Sequence, residues 1–272
     1  MNQSRIGYEH VPEQDASRAA RTWWDENAAE YHDDNGAFLG ESRFVWGPEG
    51  LTEDQARLLG SREGVVDKKI LEVGSGAAQC SRWLRAQGAR VVATDYSHAM
   101  LEQALIYNER AGSQHRVPLI QADARELPFA DSSFDAAFTS FGAIPFVPDA
   151  ERIHTEIARV LRPGGRWVCS VTHPVRWMFP DDPTSHGTTI TRSYFAREPY
   201  VEFDEQGQLE YAEYHRTIGD HVREIAAAGL ILRDIVEPEW PAGNANVWGG
   251  WGPERGALLP GTAIFMADKP AA

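Results

Sequence analysis

The chain has 272 residues, enough to bury a large core without disulfide or metal staples, as one elaborated α/β domain or two smaller ones. Its 26 Lys and Arg stand against 40 Asp and Glu, a formal charge of −14. That balance argues against an unassisted grip on nucleic acid or an anionic membrane, both of which need a concentrated basic face. Cys80 and Cys169 sit in apolar stretches with no Cys-x-x-Cys partner, which excludes a zinc cluster and speaks against a disulfide scaffold. With no apolar signal region and no apolar run of roughly eighteen residues, a soluble, cytoplasmic protein is expected.

Residues 1–12 read as a loose polar arm. Over 13–35, Ala16, Ala19, Ala20, Trp23, Trp24, Ala28 and Tyr31 recur at spacings of three and four, which predicts a helix with one broad stripe, bracketed by Gly36 and Gly40. Thr52 and Gln55 form a capping-box pattern, so a short helix should begin there and stop at Gly60. Lys69-Ile70-Leu71-Glu72-Val73 is a strand-like run that ends in Gly74-Ser75-Gly76. Helical spacing follows over 77–87, then a strand over 90–94 that ends at Asp95, and Ser97 can cap a helix to Ala111. Strands are expected over 117–122, 135–141 and 167–172, with a helix over 151–161 closed by Arg162-Pro163-Gly164-Gly165. This alternation predicts βαβ units and a parallel sheet covered by helices on both faces.

After His173 the rhythm breaks. Residues 174–212 carry four prolines and many aromatics, with short strands expected only near 190–196 and 199–203. A helix over 217–228 and strands over 230–236 and 262–267 complete the pattern, separated by the Trp- and Gly-rich stretch 238–260. Trp-Gly-Pro-Glu occurs at 46–49 and again at 251–254, which implies similar turns and nothing more.

The chemistry gathers at strand ends, where open α/β sheets hold their ligands. Glycines between a strand and a helix let the backbone turn sharply and approach a ligand, and the helix start offers free N–H groups. Asp95, nineteen residues after Gly76, can take both hydroxyls of a ribose. A dinucleotide site prefers a third glycine where Gln79 stands. Glu72 would repel phosphates but suits a ligand with a positive end. S-adenosylmethionine carries an ammonium and a sulfonium and no phosphate, and fits that logic better than a nicotinamide dinucleotide.

At these residues the chain resembles the class I S-adenosylmethionine-dependent methyltransferases, in a small-molecule branch. Leu71-Glu72-Val73-Gly74-Ser75-Gly76 is similar to the family's first motif, and Asp95 in Val91-Val92-Ala93-Thr94-Asp95-Tyr96-Ser97 to its ribose-binding acid. Gln121-Ala122-Asp123-Ala124, Ser133-Phe134-Asp135 with Ser140-Phe141, and Leu161-Arg162-Pro163-Gly164-Gly165 resemble further ordered motifs across 65–173. Trp24, Ala28 and Tyr31 resemble the lid helix of the same branch. No Asn-Pro-Pro-Tyr follows the strand at 135–141, which leaves the acceptor atom open among O, N, S and C.

The resemblance implies a Rossmann-like seven-stranded, mostly parallel sheet with an N-terminal helical lid (1–64), a donor-binding core (65–173), an inserted cap (174–212) and a C-terminal completion of the sheet (213–272). It implies S-adenosyl-L-methionine held by Tyr31, Glu72, Gly74, Ser75, Gly76, Asp95, Tyr96, Ser97, Met100, Asp123, Ala124, Ser140 and Phe141, with no metal. His173, at a strand end, and His215 are the candidate bases for a protonated acceptor. Trp23, Trp24, Trp46, Trp177, Trp240, Trp248 and Trp251 lie outside the core motifs and are expected to build an aromatic chamber for a small, partly apolar acceptor. Two other functions are carried: a cofactor-binding module without turnover, and a nicotinamide-dependent oxidoreductase.

Overall fold

A computed structural model describes residues 5–271. The long N-terminal helix α1 (Glu13–Leu39) runs four residues past its expected end, because Gly36 faces open space inside it and the chain turns only at Gly40, φ 67°. Its stripe of Ala16, Ala19, Ala20 and Ala28 is buried, small side chains that let the helix lie close on its neighbours. The Thr52–Gln55 capping box forms and starts α2 (Glu53–Ala56), which stops at a left-handed Arg57, before Gly60. α3 (Arg62–Val65) is capped by Ser61.

The alternating core follows. It runs β2 (Lys69–Val73), α4 (Gln79–Ala86), β3 (Arg90–Asp95), α5 (His98–Ala111), β4 (Leu119–Gln121), β5 (Phe134–Ser140), α6 (Ala150–Val160), β6 (Leu161–Thr172), α7 (Ile218–Ala227), β9 (Ile231–Val236), α8 (Pro253–Gly256) and β10 (Thr262–Asp268). One seven-stranded sheet results, in the order β4-β3-β2-β5-β6-β10-β9. β2 to β6 are parallel, and β10 is antiparallel between β6 and β9. The order reverses between β2 and β5, which opens a crevice beyond their carboxyl ends. Two apolar cores lie on the sheet, one under α6 and α7 around Trp167 and Phe265, the other under α4 and α5 around Trp46 and Phe138. The middles of β2 and β5 are thus buried on both faces, as their mostly apolar sequences require.

Three segments depart from expectation. Arg162–Gly165 is not a turn, since β6 begins at Leu161, and a register shift against β5 absorbs the extra residues. The arm is not wholly loose: residues 1–4 lie outside the described residues, but β1 (Arg5–Tyr8) pairs antiparallel with β7 (Tyr200–Phe203). β7 pairs in turn with β8 (Leu209–Glu213), forming a three-stranded sheet that ties the N-terminus to the 174–212 segment. No strand forms over 190–196, where Thr191 and Arg192 donate to the Met178 carbonyl. The two Trp-Gly-Pro-Glu copies differ, the first forming a turn and the second opening α8 with Pro253 in its first turn. No helix of the described chain is long and apolar enough to cross a membrane.

Candidate functional site

The carboxyl ends of β2, β3, β4 and β5 open into one cavity of about 1000 Å³, solvent at its mouth included. Its walls are Gly74, Ser75, Gly76, Ala77 and Gln79 after β2, Asp95 and Tyr96 after β3, Ala122 to Arg125 after β4, and Ser140 to Ala143 after β5. Met100 comes from α5, Ser17, Trp24, Tyr31 and His32 from α1, Phe146 from the short 3-10 helix Ile144–Phe146, and Trp248 from the irregular stretch before α8. Eleven of the thirteen residues expected to hold a donor are therefore side by side: Tyr31, Gly74, Ser75, Gly76, Asp95, Tyr96, Met100, Asp123, Ala124, Ser140 and Phe141.

Backbone strain concentrates here. Gly74 (φ 62°), Gly76 (51°), Ala78 (57°), Phe141 (59°) and Ala143 (52°) are all left-handed. The non-glycine members each cost about 1–2 kcal/mol. The loops after β2 and β5 meet backbone to backbone: a Cβ on Gly74 would stand 2.7 Å from the Ala143 nitrogen, and one on Gly142 would overlap the Gly74 carbonyl. A Cβ on Gly76 would meet nothing within 4 Å, so Gly76 presents bare main chain to the open space.

Asp95 is fixed between two elements. Its Oδ2 accepts the Gly76 N–H at 2.8 Å and its Oδ1 the Ser97 N–H at 2.9 Å. Burial nevertheless pushes its carboxyl up to about 6. Beside it, the Tyr96 hydroxyl is buried and has no partner among the described residues, and the Ser75 hydroxyl is in the same state. Asp123 is clasped by Arg125, at 3.0 Å from Nε and 2.7 Å from Nη2, and Arg125 reaches on to Asp149 at 2.9 Å. Partial burial works to raise the Asp123 carboxyl, and the Arg125 guanidinium outweighs it and holds the group below the usual range. The Ser140 hydroxyl donates to the Val45 carbonyl at 2.6 Å.

Two expected donor ligands lie behind the wall. Glu72 is 2 % exposed and accepts from the Ser81 amide and hydroxyl, which completes the start of α4. Burial pushes its carboxyl up to about 8, so at neutral pH it is protonated, and its charge does not explain a preference for a cationic ligand. Ser97 caps α5, accepting the Met100 N–H at 3.1 Å, and donates to Asp25 at 2.6 Å, which ties α1 to α5.

Neither expected base lines the cavity. His173 accepts the Val175 N–H on Nδ1 at 3.1 Å, which places its proton on Nε2, 2.7 Å from Glu237. His215 lies 2.7 Å from the Tyr194 carbonyl, its ring between Trp177 and Tyr194. Both are structural ties in the positions shown. Of the seven tryptophans, only Trp24 and Trp248 reach the cavity. Trp46 is wholly in the core, and Trp251 lies over Arg255. The rings that do form the wall pack on one another: Trp24 edge-to-face with Tyr31 and with Phe146, each at 5.3 Å, and Phe141 tilted against Trp248 at 5.2 Å.

Sequence reasoning missed Gln79, Arg125, Phe146 and, above all, His32. The spacing Trp24, Ala28, His32 continued the lid stripe by one step and was the available signal. Away from the cavity, His154, His221 and Glu224 bring three ligand atoms within 4.8 Å of one another. The Trp167 indole donates to His154 Nδ1 at 3.1 Å, which leaves the proton on Nε2, the atom that a metal would need bare. Arg216 also stands 3.2 Å from Glu224. The group is a buried polar cluster ill suited to a cation.

Residues 71–169 match the family model described as "Methyltransferase domain". A demethylmenaquinone methyltransferase of Clavibacter sepedonicus is 41 % identical over 111 residues, 40 % of this chain and 44 % of that protein. The chain thus spans under half the length of that relative. Among solved structures, an S-adenosylmethionine-dependent methyltransferase from Listeria monocytogenes superposes with a TM-score of 0.64 at 18 % identity, covering 82 % of this chain and 98 % of that one. The 1,6-didemethyltoxoflavin-N1-methyltransferase of Burkholderia thailandensis, solved with its acceptor and S-adenosylhomocysteine, gives 0.62 at 19 % identity, covering 98 % and 96 %.

Proposed function

The chain carries the fold of the class I S-adenosylmethionine-dependent methyltransferases, and on that premise we propose that it moves a methyl group from S-adenosyl-L-methionine to a small-molecule acceptor, aromatic or apolar in part. The observation that carries this reading is a single cavity in which bare glycine backbone, a buried acid and a set of aromatic rings face one another. The wall fits the donor: Gly76 leaves room along its main chain, and the Tyr96 and Ser75 hydroxyls lack partners among the described residues.

When bound, the donor supplies an electrophilic methyl on a sulfonium whose departure is intrinsically easy. Asp95 would accept both ribose hydroxyls with the lone pairs its two amide contacts leave free. Tyr96 would lie along the adenine, with Asp123 and the Ala124 N–H at its edge. The glycine loop and Tyr31 would hold the amino-acid tail. Trp24, Phe141, Phe146 and Trp248 would clamp a flat acceptor and exclude water. Holding acceptor and methyl in line can supply about 7–11 kcal/mol in favourable systems. In this reading residues 1–64 are the lid and 174–212 the cap, and β1 pairing with β7 couples the two.

The test is a titration with S-adenosylmethionine and with NADH, followed by a methyl-release assay over aromatic acceptors. S-adenosylmethionine binding with release is expected. Binding without release over the whole panel would favour a module without turnover, and preference for NADH would overturn the reading.

A further inference from the structure

The loop between β5 and α6 brings Phe141, Ala143, Phe146 and Val147 to the cavity wall, yet it has little means of holding itself. Pro145 and Pro148 carry no N–H to donate. Phe141 and Ala143 are left-handed, a conformation that persists only where the surroundings fix it. Within the loop the bonds are short-range, from the Ile144 N–H to Gly142 and from the Phe146 N–H to Ala143.

The first half of the loop is braced by the sheet. The Phe141 N–H donates to the Ser170 carbonyl at 3.1 Å, and Ala143 lies against the Gly74 backbone. The second half is held from elsewhere, by the segment that joins β8 to α7. The Tyr214 N–H donates to the Pro145 carbonyl at 2.8 Å. Arg216, a buried side chain, takes three more carbonyls: Nη1 donates to Ile144 at 3.3 Å, and Nη2 to Val147 at 3.0 Å and to Pro148 at 2.8 Å. Its Nε donates to Glu224 on α7 at 3.2 Å, which gives the guanidinium a counterion and fixes the fork. A planar group with five N–H donors can serve three carbonyls and a carboxylate at once; an ammonium has three donors at a single point. Phe146, flanked by the clamped residues, stands edge-to-face with Trp24 at 5.3 Å.

We propose that Arg216 is a positioning residue for the acceptor: it sets where Phe146 and Val147 stand, and through them the depth and tilt at which a flat acceptor meets the methyl. The proposal rests on the methyltransferase reading. It separates the two ligands, because the half of the loop that faces the glycine turn is braced without Arg216.

Arg216→Ala is compared with the wild type in three measurements. They are S-adenosylhomocysteine affinity by calorimetry, amide hydrogen exchange over residues 144–149, and methyl transfer from S-adenosylmethionine to thiophenolate, which yields thioanisole and S-adenosylhomocysteine and needs no base. Exchange over 144–149 should quicken at least about tenfold and the thiophenol KM should rise about five- to tenfold, with S-adenosylhomocysteine affinity within about threefold. Ethylguanidinium replaces the atoms removed and can enter by the open cavity that Pro148, Tyr214 and Glu224 line beside Arg216; it should lower the KM again. Arg216→Lys keeps the charge without the fork, and stands in if the Ala variant does not fold; its KM and exchange should rise by smaller factors in the same direction. Wild-type KM and exchange in a variant with only its folded fraction reduced would make Arg216 a stabilising residue and overturn the proposal. Equal losses for donor and acceptor would overturn it too, as would a wild type that binds S-adenosylhomocysteine but does not methylate thiophenol. If the wild type does not bind S-adenosylhomocysteine either, the methyltransferase reading falls, and the exchange measurement still decides whether Arg216 holds the loop.

Discussion

The two ends of the cavity are built by different means. After β2, β3 and β4 the wall is main chain and mostly polar side chains at strand ends, pinned by hydrogen bonds such as Gly76 to Asp95. At the other end it is rings from three separate segments, Trp24 on α1, Phe141 and Phe146 after β5, and Trp248 in the stretch before α8, held by contact with one another. The first part relies on directional bonds at strand ends; the second relies on contact between rings.

Four substitutions test the division, and the largest effect falls at the strand ends. Gly74→Val must place a side chain against the Ala143 nitrogen from a left-handed backbone. It should cost at least about 2 kcal/mol in urea denaturation and abolish donor binding; a stable variant that binds the donor would break the claim that the two loops touch. Asp95→Asn should weaken donor affinity about 10- to 100-fold by calorimetry. An acid raised to about 6 is ionised above that pH, so donor affinity should fall as the pH drops through about 6 in the wild type and stay flatter in the Asn variant. The same raised value means that Asp95 adds stability on acidification, so a weaker affinity at low pH is not unfolding driven by this group.

Trp248→Ala probes the other end. The acceptor KM should rise about tenfold with donor affinity within about twofold; equal losses in both would show that the ends are not separable. The smallest effect is expected for His173→Ala, with turnover within about threefold and a modest drop in thermal stability as the Glu237 tie is lost. Loss of turnover at full stability would return His173 to the chemistry.

The same division decided what could be read in advance. Strand ends are legible because a β-run, a glycine turn and an acid at fixed spacing are local facts, and Gly74, Gly76 and Asp95 meet where the doubly wound order puts them. Glu72 shows the limit: it was expected at the ligand, but the packed sheet buries it behind the cavity wall against Ser81 and raises its carboxyl. His173 and His215 looked available because sequence does not reveal Glu237, 64 residues on, or the carbonyl of Tyr194. Trp248 and Trp251 are three apart in one irregular stretch, and only the folded chain sends the first to the cavity and the second onto Arg255. The strand β1 was invisible for the same reason: its partner β7, expected near 199–203, lies about two hundred residues away, and Arg5–Tyr8 is too short and polar to announce itself.

A crystal structure with S-adenosylhomocysteine tests the central claim most directly. The ribose is expected on Asp95, the adenine beside Tyr96, and the amino-acid tail along Gly74–Gly76 toward Tyr31. Adenosyl density anywhere but in this cavity, with side chains filling the space above Gly76, would contradict it.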